Sequence, residues 1–214
     1  MSRLRHTLRA VLFAVGLACL AAPIEAAPKI DISFQTDAAT GQKLARAQAV
    51  FPASVPVTYA IFDAIAAYPR LHDWIRKTTL VSCSEGVQQF LVQFSFPWPV
   101  GRQWSRVEVH RNGETISWKQ LEGSLKANDG QISFEAAGDK VRVDYRAAID
   151  VGLPDALTRS YKKQFITEFL TAASVQARSQ ATRALASPAE PLGHLVPSGS
   201  AHQCVRRRLI SRKP

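Results

Sequence analysis

The side chains that could carry chemistry in this sequence are few and are not arranged as a catalytic set. His72 and Asp73 are adjacent, but acid–base catalysis needs both groups to face one reacting atom, and neighbours on a helical turn diverge. Ser105, Ser117 and Ser133 lie in alternating segments without the Gly-x-Ser-x-Gly elbow that exposes a nucleophile. We therefore expect His72 and Asp73 at the surface and predict no catalytic residue.

Metal and thiol chemistry are also not indicated. The chain has no CxxC motif and no pair of histidines at helical spacing, so neither a metal nor a cofactor is predicted. His110 falls on the polar face of a predicted strand. Cys83, in a probable strand, and Cys204, near the C-terminus, would pair only if a flexible tail met one strand residue. Two unpaired thiols are the prediction.

The first 26 residues have the pattern of a secretory signal. Arg3, Arg5 and Arg9 precede an apolar run at residues 10–22, and Ala26 is a small residue suited to cleavage. A membrane span needs about 20 apolar residues, so this run of 13 favours a cleaved signal over an anchor. Export to the periplasm or the extracellular space, in a bacterial context, is predicted.

The charge is concentrated outside the predicted domain. The formal net charge is +10, but residues 27–186 carry 19 basic and 15 acidic side chains and contribute only +4. A nucleic-acid partner is not expected, because no basic patch is interleaved with aromatic residues. Residues 187–214 are predicted to be a disordered tail, and the alternative is docking on an anionic membrane. The basic residues for that docking are Arg206, Arg207, Arg208, Arg212 and Lys213.

A long amphipathic helix is predicted over residues 155–183. Asp155 is a plausible N-cap, and Pro188 limits continuation. Four basic or polar residues are assigned to the far side: Arg159, Lys162, Lys163 and Thr167. The apolar stripe repeats every fourth residue at Leu157, Tyr161, Phe165, Phe169 and Ala173. One stripe of this length requires one broad apolar surface opposite it.

The preceding segments alternate with period two and supply that surface. Strands are predicted at residues 43–51, 88–96, 104–111, 115–121, 132–134 and 141–150, and turns at Asn112-Gly113, Asn128-Asp129-Gly130 and Gly138-Asp139. Residues 57–68 and 71–75 are predicted to be helical, and residues 27–42 a loosely held N-terminal arm. Short turns between successive strands predict an antiparallel meander.

The inward positions of these strands are rich in aromatic and branched side chains. A strongly curved sheet around one helix does not always fill its own interior, so an apolar cavity is predicted. Most inward aromatic residues are expected to pack the core. The residues assigned to the ligand are Phe94, Trp118, Phe134, Tyr145, Tyr161, Phe165 and Phe169.

Three segments in this order resemble the START-like (SRPBCC) superfamily of polyketide cyclases, coenzyme Q-binding proteins and lipid-transfer domains. They are residues 68–75 (YPRLHDWI), residues 96–102 (FPWPVGR) and Leu121-Glu122-Gly123. Ala67 and Gln103 replace two aspartates of the family pattern. The resemblance covers roughly residues 43–183. It implies an α+β helix-grip fold, in which a curved antiparallel sheet of about seven strands grips a long C-terminal helix, with two short helices after the first strand.

The resemblance also implies a hydrophobic ligand between the helix and the sheet. Arg102 matches an arginine that projects into the cavity in lipid-transfer relatives, and its alternative is a solvated arginine at the start of a strand. We favour the solvated position, because an unpaired buried charge is costly. The predicted function is an exported carrier or binder of a lipid, quinone or sterol-like molecule. A cyclase or hydratase on the same fold and a protein-interaction module are the alternatives.

Overall fold

The computed structural model describes residues 27–38, 41–84 and 86–186. The predicted signal peptide, residues 1–26, and the predicted basic tail, residues 187–214, lie outside the described residues. The described ranges therefore contain the whole predicted START-like domain, apart from Glu85, and most of the predicted N-terminal arm.

Eight strands form one antiparallel sheet with the order β1-β2-β8-β7-β6-β5-β4-β3. Strands β3 to β8 follow one another as a meander, and β2 pairs with β8 rather than with β3. The strands are β1 Ile30–Thr36, β2 Lys43–Phe51, β3 Ile75–Ser84, β4 Val87–Ser95, β5 Arg102–Asn112, β6 Thr115–Gly123, β7 Ala127–Ala137 and β8 Lys140–Asp150. The helices are α1 Val55–Asp63, a 3₁₀ helix Ile65–Arg70 and α2 Asp155–Ala186.

The segment predicted as a loose N-terminal arm contains strand β1, so the sheet has one strand more than predicted. Ile30, Ile32 and Phe34 alternate and pack, partly buried, against the core. Their strand pairs antiparallel with β2 from Ile30 opposite Ala49 to Thr36 opposite Lys43. The alternation was present in the sequence, but it covers only three apolar residues.

The turn predicted at Asn128-Asp129-Gly130 is wrong, since these residues lie inside β7. A Cβ atom on Gly130 would lie 2.4 Å from Cζ2 of Trp118, so glycine is required here to accommodate the indole on the neighbouring strand. The Asp129 carboxylate accepts a hydrogen bond from the Gln120 backbone N–H at 2.7 Å. Asp129 and Gly130, whose residue types are common in turns, therefore make contacts between neighbouring strands here.

Two short helical elements follow β2, but their positions differ from the prediction. The helix predicted at residues 57–68 is divided into α1 and the 3₁₀ helix, which contains Pro69. The Tyr68 hydroxyl donates a hydrogen bond to the Phe62 carbonyl at 2.6 Å and ties the two pieces together. No helix forms at residues 71–75, because Ile75 already begins β3.

Helix α2 confirms the predicted long helix, and its buried face follows the predicted stripe at Phe165, Phe169 and Ala173 but departs from it in the first turn. Leu157 is 55% exposed, whereas Thr158 is only 2% exposed. Asp155 lies in the first turn of the helix rather than before it. Further along, the buried positions are Phe165, Ile166, Phe169, Leu170, Ala173, Ser174 and Ala177. None of the helices in the described ranges is long and apolar enough to cross a membrane.

The prediction of two unpaired thiols is wrong for Cys83, which is disulfide-bonded. Its side chain lies near the end of β3, opposite Gln88 of β4. The other two cysteines of the sequence, Cys19 and Cys204, lie outside the described residues.

Candidate functional site

A cavity of about 90 Å³ lies between α2, the short helices and the inner face of the sheet. Five of the residues assigned to the ligand line it: Phe94, Trp118, Tyr145, Phe165 and Phe169. Aliphatic side chains complete most of the wall: Ile65, Ile75, Val92, Val107, Val109, Ile116, Ile132 and Ile149. The predicted hollow is therefore present, and its surface is dominated by apolar groups.

The few polar groups on the cavity wall are neutral. Trp118 Nε1 donates a hydrogen bond to Asn128 Oδ1 at 3.3 Å. Burial raises the pKa of the Tyr145 and Tyr68 hydroxyls well above the usual range, because the phenolate would lose its hydration. The wall therefore remains uncharged at neutral pH.

Three residues assigned to the ligand do not line this cavity. Arg102 is exposed at the first position of β5, which is the solvated position favoured by the sequence analysis. Phe134 is buried elsewhere in the core, with its ring 5.5 Å from that of Phe62 and 5.6 Å from that of Tyr59. Tyr161 lines a separate, adjoining space.

That adjoining space, which we call the neck, has a volume of about 20 Å³. Its apolar wall includes Val100, Val151 and Tyr161, and it shares Phe96, Ile149 and Phe165 with the cavity. The Tyr161 hydroxyl donates a hydrogen bond to the Trp98 carbonyl at 3.1 Å and ties α2 to the loop between β4 and β5. The side chain of Trp98 itself is 87% exposed.

A third space of about 140 Å³, the cationic pocket, lies between the first turns of α2 and strands β1, β2 and β8. Lys43, Arg159 and Lys162 line it together with one carboxylate, Asp155. Lys162 Nζ lies 3.0 Å and Lys43 Nζ 3.7 Å from that carboxylate. The Lys162 hydrogen bond is the main cause that lowers the pKa of Asp155.

The sequence placed Arg159 and Lys162 on the far side of the helix, which is wrong for Lys162, whereas Arg159 is exposed. The Lys162 side chain is only 13% exposed. The Arg159 guanidinium lies over the ring of Phe34, 4.8 Å from its centroid. Phe34 belongs to β1. The surface that these cations contact could therefore be recognised only once β1 was known. The alternation of Ile30, Ile32 and Phe34 was the signal that could have revealed it.

His72 is the second clear correction, because its side chain is fully buried rather than at the surface. Its ring centroid lies 4.5 Å from that of Phe165 and 5.1 Å from that of Trp74. Nδ1 accepts the Trp74 backbone N–H at 3.0 Å, and Nε2 lies 3.2 Å from Glu168 Oε2. Desolvation lowers the pKa of His72, although the Glu168 and Asp73 carboxylates oppose that shift.

This arrangement gives His72 a structural role rather than that of a base. The neutral ring accepts through Nδ1 and therefore carries its proton on Nε2, facing Glu168. His72 lines an outer groove with Arg70, Asp73 and Glu168, and it is absent from the wall of the cavity. Asp73 and His110 are exposed, as predicted. Among the described residues, no three His, Cys, Asp or Glu side chains form a group that could hold a metal ion.

Comparisons of the coordinates with solved structures identify the fold. Human StAR-related lipid transfer protein 5 has a TM-score of 0.58 and 10% identity over 81% of this chain and 97% of that chain. The STAR-related lipid transfer protein of Xanthomonas axonopodis has a TM-score of 0.58 and 16% identity, covering 72% of this chain and 96% of its own. The Zhui aromatase/cyclase from Streptomyces sp. R1128 has a TM-score of 0.51 and 10% identity, with coverages of 66% and 94%.

These similarities show that the chain has a START-like helix-grip fold, as the sequence motifs predicted. No protein-family model matches the sequence, and no curated protein matches it significantly. At identities this low the similarity concerns the fold, and function has to be argued from the residues of the site.

Proposed function

We propose that this protein binds or carries an apolar small molecule, such as a lipid, quinone or sterol-like compound, between α2 and the sheet. The observation that supports the proposal most directly is the uncharged, aromatic and aliphatic cavity at this position. Two of the similar structures are described as lipid transfer proteins, and they have the same fold.

The energetics of burial are sufficient for useful affinity without a specific polar contact. Each buried CH₂ group contributes about 0.8 kcal/mol, so a chain of 12 carbons gains of order 10 kcal/mol. Association costs roughly 4–15 kcal/mol, so at the low end of that cost a net gain of about 6 kcal/mol remains, which corresponds to a Kd of tens of micromolar. Binding by the apolar wall alone is therefore adequate for a carrier that must also release its ligand.

The cavity must expand to accept such a ligand. Its volume of about 90 Å³ is below the range of roughly 300–1,000 Å³ that is common for ligand sites. The neck and the cationic pocket adjoin it, and the Tyr161 to Trp98 hydrogen bond joins the two elements that enclose this end. We expect ligand binding to separate α2 from the loop between β4 and β5.

Export remains part of the proposal. The pattern of residues 1–26 supports it, because charged residues followed by a short apolar run and a small residue are typical of a secretory signal. Recovering the protein from the periplasm or medium with Ala27 as its first residue would agree with export. Recovery of the full chain in the cytoplasm would contradict it.

Binding is tested by titrating the protein with dodecanol and observing NMR shifts and calorimetric heats. We expect saturable, micromolar binding in the wild type. Val107→Phe, which fills the cavity, should weaken binding about tenfold or more. Val81→Phe makes the same change at a position that is 42% exposed, and it should leave affinity unchanged.

Two outcomes would contradict the proposal. The first is the absence of saturable binding for dodecanol, a quinone and a sterol, together with no lipid in an organic extract of the protein from its native host. The second is binding that Val107→Phe and Val81→Phe affect equally, since the ligand would then lie outside the cavity.

A further inference from the structure

The cavity, the neck and the cationic pocket form one row along the first half of α2. Ile149 of β8 borders all three spaces. Phe96 and Phe165 stand between the cavity and the neck, and Lys162 stands between the neck and the cationic pocket. Neighbouring spaces share these lining side chains, so rotation of a few of them would connect an apolar interior to a positively charged opening.

The cationic pocket carries an excess of positive charge that the protein does not neutralise within it. Lys43, Arg159 and Lys162 surround the single carboxylate of Asp155, which leaves a formal charge of +2. Lys162 and Lys43 both lie beside that carboxylate, while Arg159 is stacked on Phe34. A stacked guanidinium keeps its in-plane N–H groups available for a planar or tetrahedral oxyanion.

The immediate surroundings of the pocket add to this preference. Apart from the four charged residues, its wall consists of Phe34, Gln35, Thr36, Ala45, Ala147, Ile149 and Ile166, none of which carries a charge. The side chain of Lys162 is 13% exposed, so its charge is poorly screened by solvent. Lys43 is 60% exposed and Arg159 is exposed, so an oxyanion placed here would meet one largely buried cation and two cations at the solvent-facing opening.

From this row of spaces we infer that the ligand is an anionic amphiphile. Its carboxylate or phosphate group binds to Lys43, Arg159 and Lys162, and its apolar tail passes through the neck into the cavity. This inference rests on the proposed function and specifies the ligand class for the same site. In this inference the polar contact is made by Lys43, Arg159 and Lys162 instead of Arg102. Arg102 is exposed at the start of β5 and lines none of these spaces.

The geometry also fixes the minimum length of the tail. Lys162 and Phe169 mark the cationic end and the cavity end of the row on the same helix. Seven residues of α-helix rise about 10 Å, so a tail that spans the row from Lys162 to Phe169 must extend at least that far from the anionic group. A very short anion would occupy the pocket without reaching the cavity.

The test compares four probes of known chemistry: dodecanoate, dodecyl phosphate, dodecanol and butanoate. We expect the two long anions to bind the wild type about tenfold or more tighter than dodecanol, because only the anions add charge–charge attraction to the hydrogen bonds that the cations donate. Butanoate should bind much more weakly than dodecanoate. The ratio of dodecanoate to dodecyl phosphate affinity distinguishes a carboxylate ligand from a phosphate ligand.

The variant K43Q/R159Q removes two cations and leaves the Lys162 to Asp155 contact in place. It should abolish the preference for anions while keeping the dodecanol affinity of the wild type, which also demonstrates that the variant is folded. K163Q is the matched control, because Lys163 is exposed on the same helix and lies outside the three spaces. It should bind all probes as the wild type does.

The outcomes separate this inference from the proposed function. Equal wild-type affinities for dodecanoate, dodecyl phosphate and dodecanol would overturn the anionic ligand and leave the apolar carrier standing. An anion preference that persists in K43Q/R159Q, or that K163Q also abolishes, would likewise overturn the assignment to the cationic pocket. Failure of all four probes to bind would overturn the anionic ligand, and the apolar carrier would fall with it only if the quinone, the sterol and the organic extract also gave no binding.

Discussion

The two halves of α2 pack against the rest of the domain in different ways. Around Phe165 and Phe169 the helix faces the cavity, and the first turns face the neck and the cationic pocket. From Leu170 to Ala177 the buried positions Leu170, Ala173, Ser174 and Ala177 are 0% exposed. The first half therefore borders open space, whereas the second half is closely packed.

Side-chain size accounts for this difference. The aromatic rings at Phe165 and Phe169 stack on each other with centroids 6.0 Å apart, and both line the cavity. The small side chains of Ala173, Ser174 and Ala177 allow close approach of the neighbouring elements. A single helix can thus anchor the domain with one half and leave room for a ligand beside the other.

The largest effect is expected in the closely packed half. Leu170→Ala should lower the free energy of unfolding by about 2–5 kcal/mol, because it removes buried methyl groups from a tightly packed site. Denaturant unfolding followed by circular dichroism measures the change. Leu157→Ala is the control, since Leu157 is 55% exposed and should lose no more than about 0.5 kcal/mol. Equal losses would contradict the division of α2 into two halves.

Enlarging a side chain tests the same comparison in the opposite direction. Ala173→Leu should cost about 1–3 kcal/mol, because no space is present beside it. Val107→Phe inserts a larger group into the cavity and should cost less. The measurement is the difference between the two unfolding free energies at one temperature. A larger loss for Val107→Phe would mean that the cavity does not accept added volume.

The smallest effect concerns the pH dependence of stability. The pKa of His72 is lowered in the folded state, mainly by desolvation, so the unfolded chain takes up its proton first as the pH falls. The contribution of neutral His72 to the free energy of unfolding is complete above pH about 6.5, and it is lost as the pH falls toward the folded-state pKa. His72→Gln should therefore flatten the stability curve between pH 7 and pH 5.

The groups that face His72 allow this result to be interpreted. Glu168 on α2 and Asp73 on the same loop favour the protonated form, and Arg70 lines the same outer groove. The control is His110→Gln, which changes an exposed histidine on β5 and should keep the wild-type dependence. Parallel curves for the wild type and His72→Gln would show that burial of this ring does not influence folding.

The parts of the fold that the sequence predicted were those with long, regular patterns. The strand at Lys140–Asp150 and the helix at Asp155–Ala186 each repeat an apolar position many times, and both are present. Strand and helix periodicity also placed five aromatic side chains on the inward faces that line the cavity. Their inward direction follows from strand and helix periodicity alone.

The features that were missed depend on contacts between distant segments. Gly130 resembles a turn residue until Trp118 is placed above it. His72 resembles a surface residue until Trp74 and Phe165 enclose its ring. Lys162 resembles a solvent-facing lysine until β1 is added to the sheet beside it. A single sequence does not specify such neighbours, because each lies far away along the chain or on another face.

The pairing of β2 with β8 has a consequence for how the chain must fold during synthesis. Arg46 and Asp144, which form an ion pair across these strands, are 98 residues apart in sequence. At ribosomal rates of about 5–20 residues per second, β1 and β2 wait roughly 5–20 s before their partner strand emerges. During that interval the edge of β2 that later pairs with β8 is unpaired, and a chaperone or holdase that covers it would suppress aggregation of the nascent protein.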